Sequence, residues 1–170
     1  MSKSKLIFIT GATKGIGRAT AFTFAKAGWD LILLARDFKA LEELKNELIV
    51  FEVKVNICDC DLSNAETLDS SITKLLKDFG CPSVVLNNAG FAYNGDLITM
   101  QLKHWQEIIQ VNLTSVFQIC SKIVPAMRVK GGLIINVSSH AAHNAFPKWG
   151  AYCTTKAALA SFTKCLREEE

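Results

Sequence analysis

The stretch SSHAAHNAFPKWGAYCTTK, residues 138–156, brings together the side chains of this chain best suited to moving a proton. Tyr152 and Lys156 stand at i and i+4, one helical turn apart, with Ser139 upstream across a short loop. A phenol in water ionises near pH ~10 and is a poor acid–base catalyst at neutrality. A cation one turn away stabilises the phenolate, which makes Tyr152 and Lys156 a candidate proton-transfer pair. A serine hydroxyl beside the reacting group can donate to a developing oxyanion. Taken alone, a tyrosine and a lysine at this spacing occur on many helices that do no chemistry. His140, His143 and Trp149 lie between the serine and the tyrosine and read as pocket lining or exposed loop, while Cys153 reads as packing. A histidine base would also have suitable chemistry.

These side chains act only if the rest of the chain holds a reaction partner against them. TGATKGIG, residues 10–17, directly follows an apolar run and opens a helical pattern. Gly11, Gly15 and Gly17 let the backbone turn tightly and approach a pyrophosphate, while the helix N-terminus supplies N–H donors and positive potential. The plain alternative is a glycine-rich turn with no ligand. Its place in a first strand–turn–helix unit favours a dinucleotide site.

Along the chain, apolar runs bounded by turn residues alternate with segments of helical period. Strands are expected at 6–10, 30–35, 53–58, 83–86 and 133–137, and helices at 16–27, 38–49, 65–79, 103–129 and 152–166, with Pro125 a candidate break in the long one. The strand segments LIFI, LILL, VVL and LIINV are apolar on both faces, as buried parallel strands must be. Strict alternation predicts an α/β fold, a doubly wound parallel sheet of the Rossmann type, in a single domain over 1–170.

The bulk properties narrow the function classes. An apolar fraction of 49% argues against disorder, and a net charge of +3 with scattered Lys and Arg argues against a nucleic-acid partner. No run approaches a membrane span, and 6–9 is too short for a signal-peptide core. The six cysteines sit mostly in apolar segments without zinc-ligand spacing, so they read as buried reduced thiols and no metal site is expected. Reduced thiols imply a cytoplasmic location.

The spacing G-x-x-x-G-x-G resembles the classical short-chain dehydrogenase/reductase family, whose extended branch spaces its glycines differently. The resemblance spans the whole chain: Asp61 after the third strand, Asn87-Asn88-Ala89-Gly90 after the fourth, Asn112 in the long helix, Ser139 after the fifth strand, and Tyr152-x-x-x-Lys156. It implies an oxidoreductase that transfers a hydride between a nicotinamide cofactor and a small carbonyl or alcohol substrate. By that resemblance Tyr152 handles the proton, Lys156 lowers the cost of the phenolate and holds the nicotinamide ribose, Ser139 polarises the carbonyl, and Asn112 holds a water of the proton relay. Ser138 is kept as support. The cofactor-binding positions fall on Gly11, Thr13, Lys14, Gly15, Ile16 and Gly17, on Arg36, on Asp61 and Leu62 at the adenine, and on Asn88, Ala89 and Gly90, with Tyr152 and Lys156 shared. Asp61 reads equally as a cap for a helix starting near Ser63.

The position that carries an acid in NAD-preferring relatives is Ala35, followed by Arg36. A guanidinium there, with Lys14, would pair with a 2′-phosphate, so NADP(H) is favoured over NAD(H). Both cations read alternatively as solvated surface charges. Asp37 would bring a carboxylate near the ribose unless, as read here, it caps the following helix. Phe91, Tyr93, Phe146 and Trp149 give the pocket an apolar cast suited to a ketone, aldehyde or acyl substrate. Homo-oligomers in the family often form through the segments matching 103–129 and 152–166. The family pattern continues with two more strands, so the chain reads as truncated, with 133–137 an unprotected sheet edge and reduced stability. On that reading the alternative function is a nucleotide-binding fragment without turnover.

Overall fold

The computed structural model describes residues 5–170. Five parallel strands, β1 (Leu6–Thr10), β2 (Asp30–Ala35), β3 (Val55–Asp59), β4 (Val84–Asn87) and β5 (Leu133–Asn136), form one sheet in the order β3-β2-β1-β4-β5. The chain winds outward from β1 to β3, then crosses back to lay β4 on the other side of β1. That reversal parts the loops at the carboxyl ends of β1 and β4 and opens a crevice there, the place where such sheets bind ligands.

Alternation along the strands fills both faces. Ile7, Ile9, Leu31 and Leu33 pack under α1 (Gly15–Lys26) and α2 (Phe38–Leu48) with Ala21, Leu41 and Leu44. Phe8, Ile32 and Leu34 point the other way, against α3 (Ala65–Phe79) and the later helices, with Leu68, Ile72, Ile119 and Ile123. Burying a side chain of this size stabilises the fold by about 1.5–3 kcal/mol, so the sheet is the stable frame on which the loops ride. The cap expected at Asp37 forms, its carboxylate accepting from Ala40 N–H at 3.0 Å. The helix after β3 is capped by Asn64, not Asp61: Asn64 accepts from Thr67 N–H at 3.0 Å, while Asp61 accepts from Ser63 N–H at 2.9 Å.

The long helix expected at 103–129 is two helices, α4 (Leu102–Ile109) and α5 (Ser115–Lys130), joined by a π-helical turn at Gln110–Thr114. Pro125 does not break it. The proline lies on the exposed face, where water can meet the carbonyl it leaves without a donor. The final helix, α6 (Gly150–Glu169), starts before Tyr152 and packs Leu159, Phe162 and Leu166 against Val116, Cys120 and Val124 of α5. The third strand starts at Val55 instead of 53, and the fifth ends at Asn136. β5 is an edge strand whose Leu133 and Ile135 are 54% and 39% exposed. A groove of about 630 Å³, lined by Met127, Leu133, Ile134, Asn136, Thr163 and Leu166 among others, runs beside it.

Candidate active site

The glycine loop after β1 is folded onto itself and onto the loop after β4. Gly11 has φ +62°, and a Cβ there would stand 2.9 Å from the Cα of Ala89. A Cβ on Gly17 would lie 2.3 Å from the carbonyl oxygen of Gly11 and 2.7 Å from Nδ2 of Asn88. Both contacts are closer than any side chain tolerates, which is the physical requirement for glycine here. Asn88 acts as a buckle, its Nδ2 donating to the carbonyls of Thr10 at 3.0 Å and Gly11 at 3.1 Å. Thr10 Oγ1 accepts in return from Asn88 N–H and Ala89 N–H, each at 3.0 Å.

This packing leaves the start of α1 open. The helix begins without a side-chain cap and without an acid in its first turn, so its N–H donors and positive end are available to an anion. Thr13 is half-buried at the loop, and Lys14, Gly15 and Ile16 are exposed. Arg36 is exposed just past β2, and among the described residues neither Lys14 nor Arg36 forms an ion pair. Asp37 spends its carboxylate on the cap, accepting from Ala40 N–H. Donors, glycines and unpaired cations fit a phosphate-bearing dinucleotide. Asp61 is exposed at the end of this row and Leu62 is buried behind it.

On the other side of the crevice, α6 presents Tyr152 and Lys156. Lys156 is buried, its Nζ donating to the carbonyl of Val137 at 2.7 Å and lying 5.7 Å from the centre of the Tyr152 ring. Burial lowers the lysine pKa from its ordinary value, because the charged form loses water. The Tyr152 ring is half-buried against the edge of Trp149 at 5.6 Å. Ser139 opens the short turn His140–Ala142 and accepts from Ala141 N–H at 3.1 Å, which occupies a lone pair and leaves its hydroxyl proton free to donate.

Asn112 sits in the π turn, 1% exposed. Its Oδ1 accepts from Phe91 N–H at 3.0 Å, and its Nδ2 donates to the Phe91 carbonyl at 2.8 Å and to Thr155 Oγ1 at 3.2 Å. Gly90 fits over it: a Cβ there would meet Asn112 Oδ1 at 3.1 Å and Lys156 Nζ at 3.9 Å. Gly90, Asn112 and Lys156 therefore meet in one place, joining the loop after β4 to α6.

Sequence reasoning missed the residues that hold this arrangement. Thr10 and Thr155 are 1% and 0% exposed, and Asn136 accepts at Oδ1 from Asn87 Nδ2 at 2.8 Å and donates through its own Nδ2 to Thr163 Oγ1 at 2.9 Å. A threonine set between Tyr152 and Lys156, or an asparagine closing an apolar strand, was the available signal. His140, His143, Phe146 and Trp149 are exposed, and Phe91 and Tyr93 half-buried. Cysteine burial is uneven: all six are free, but Cys165 is exposed, because it falls on the outer face of α6. Among the described residues no helix is long and apolar enough to cross a membrane.

Residues 5–170 match the profile of the short chain dehydrogenase family. The chain is 38% identical over 169 residues to the NADP-dependent 3-hydroxy acid dehydrogenase of Schizosaccharomyces pombe, covering 97% of this chain and 65% of that protein. Its structure is similar to that of an alcohol dehydrogenase from the archaeon Thermococcus sibiricus complexed with 5-hydroxy-NADP, with TM-score 0.91, 32% identity and coverage of 96% of this chain and 70% of that one. It is also similar to L-sorbose reductase from Gluconobacter frateurii, complexed with NADPH and L-sorbose, with TM-score 0.92, 32% identity and coverage of 98% and 64%. The chain thus spans about two thirds of the length of these relatives. With a matching profile over nearly every residue, the glycine loop, the reversed strand order and the paired tyrosine and lysine place the chain in the short chain dehydrogenase family.

Proposed function

We propose that this chain carries the NADP(H)-dependent hydride-transfer site of an oxidoreductase acting on a small carbonyl or alcohol. The observation that carries the reading is the convergence of Gly90, Asn112 and Lys156 at the loop after β4, which is itself packed on the glycine loop that opens the uncapped α1. Relatives that act with NADP or were solved with NADPH or an NADP derivative support the choice of cofactor.

Gly11, Thr13, Lys14, Gly15, Ile16 and Gly17 would hold the pyrophosphate end, Arg36 and Lys14 the 2′-phosphate, Asp61 and Leu62 the adenine, and Asn88, Ala89 and Gly90 the face of the cofactor. The bound nicotinamide supplies or accepts the hydride. Tyr152 gives a proton to the carbonyl oxygen in reduction and takes it back in oxidation. Lys156 sits near the ring with its ammonium held by Val137, where it would also hold the nicotinamide ribose. Ser139 donates its free hydroxyl proton to the same oxygen, which stabilises the charge that develops there. Asn112 fixes Phe91 at the floor of the site, and since its amide is committed to that clamp, a relay water would be met by the main chain of the π turn. Phe91, Tyr93, Phe146 and Trp149 form an apolar rim. Homo-oligomers through α4–α5 and α6, where Leu102 and Phe117 are exposed, and a cytoplasmic location belong to the same reading.

Fluorescence titration with NADPH and NADH, on wild type and Arg36→Ala, tests the cofactor. NADPH should bind at least about tenfold more tightly than NADH to wild type, and Arg36→Ala should remove most of that preference. No binding of either would contradict the reading.

A further inference from the structure

Two glutamines strap the adenine-side loop to the π turn. Gln110 Nε2 donates to the Leu62 carbonyl at 3.2 Å and to Gln118 Oε1 at 3.0 Å. Gln118 Nε2 donates to the Ala65 carbonyl at 3.0 Å. Both side chains are half-buried, and together they join the π turn and the first turn of α5 to the segment after β3 and the start of α3. Pinning a glutamine costs up to about 2 kcal/mol of rotamer freedom, so three bonds directed across elements define a fixed link and not a wandering surface amide. Gln110 and Asn112 share the five-residue π turn. Asn112 in turn grips both the N–H and the carbonyl of Phe91. Hydrogen bonds from Gln110 and Asn112, joined by the backbone of the π turn between them, therefore link Leu62, next to Asp61, to the floor of the site.

We infer that Gln110 and Gln118 are positioning residues that transmit occupation of the adenine site to the Asn112–Phe91 clamp. The inference rests on the dinucleotide reading above. Filling the space beside Asp61 and Leu62 fixes the Leu62 carbonyl, which fixes Gln110, and the turn then holds Phe91 more firmly. Binding of the half of the cofactor that never reaches Tyr152 thereby orders the reaction site.

The test uses 2′,5′-ADP, which carries the adenine and the 2′-phosphate but no nicotinamide, and reads amide hydrogen exchange at Phe91. In the wild-type chain, saturating 2′,5′-ADP should slow exchange of the Phe91 amide about tenfold. In Gln110→Met, 2′,5′-ADP should bind within about fivefold of wild type, since the lost bonds are to Leu62 and Gln118 and not to the ligand, yet protect Phe91 less than about twofold. A purely structural role would lower the melting temperature of the variant without removing the ligand-dependent protection. If Gln110→Met does not fold, Gln118→Met breaks the other half of the strap and gives the same reading. Equal protection in a folded variant, or binding to wild type without protection of Phe91, would overturn the strap alone. Failure of wild type to bind 2′,5′-ADP would overturn the NADP(H) reading and the strap with it.

Discussion

Lys156 donates its Nζ proton to the carbonyl of Val137 at 2.7 Å, tying α6 to the end of β5 and fixing the ammonium one turn from Tyr152. The bond orients the cation but does not neutralise it, so burial still penalises the charged form. With the folded-state pKa lowered, the unfolded chain holds more protons between that value and the ordinary lysine value of 10.5. Stability from this group therefore rises with pH across that window. Lys156→Met, which has no proton to lose, should show no such rise. Melting curves of both proteins between pH 8 and 10.5 should give a wild-type minus variant difference that grows more positive with pH. A flat or falling difference would refute the burial argument.

The glycine loop separates two effects that a glycine can have. A Cβ on Gly17 would strike the Gly11 carbonyl at 2.3 Å, and neither strand nor helix can move away cheaply. Gly15 has φ +52° but nothing within 4 Å of the built Cβ, so alanine there costs only the left-handed backbone, about 1 kcal/mol. Gly17→Ala should cost at least about 2 kcal/mol in chemical denaturation and weaken NADPH binding by about 100-fold or more. Equal effects at the two positions would contradict the close packing described.

The thiols should sort by burial. Burial pushes Cys58 and Cys120 up to about 11 from an ordinary value of 9.0, with Cys60 adding to the shift at Cys58. In the native chain Cys165 should react with a disulfide reagent first, and Cys120 only on unfolding. The same shifts predict alkaline destabilisation. Between pH 9 and 11 the unfolded thiols ionise while the folded ones stay protonated, so stability falls as pH rises. Cys120→Ala should make that fall shallower, which urea titrations at pH 8 and 10 would measure.

The strands were legible because a buried parallel strand must be apolar on both faces, and LIFI, LILL and VVL announce this without tertiary information. The glycine turn was legible because it follows a strand end, and the helix that carries Tyr152 and Lys156 because its period is local. The break in the long helix was not. Pro125 carried the local signal, yet the backbone departs from α geometry at 110–114, which contains neither glycine nor proline. The departure goes with turning Asn112 inward to Phe91, a residue |i−j| = 21 away. Thr10, Thr155, Gln110 and Gln118 reach partners 78, 43, 48 and 53 residues away, so the pattern around each does not name its partner. The third strand starts at Val55, where Lys54 gives its N–H to the Asp30 side chain at 2.9 Å while its carbonyl accepts from Leu31 N–H at 2.8 Å.

The central claim is that Tyr152 moves the proton at a site whose other parts bind the dinucleotide without it. The most direct measurement pairs NADPH affinity with NADPH consumption on a panel of ketones and aldehydes, for wild type and Tyr152→Phe. The account predicts NADPH affinity within about threefold of wild type in the variant, with turnover reduced by 10²-fold to 10⁴-fold, the usual worth of a positioned acid–base group. Undiminished turnover in Tyr152→Phe would contradict it.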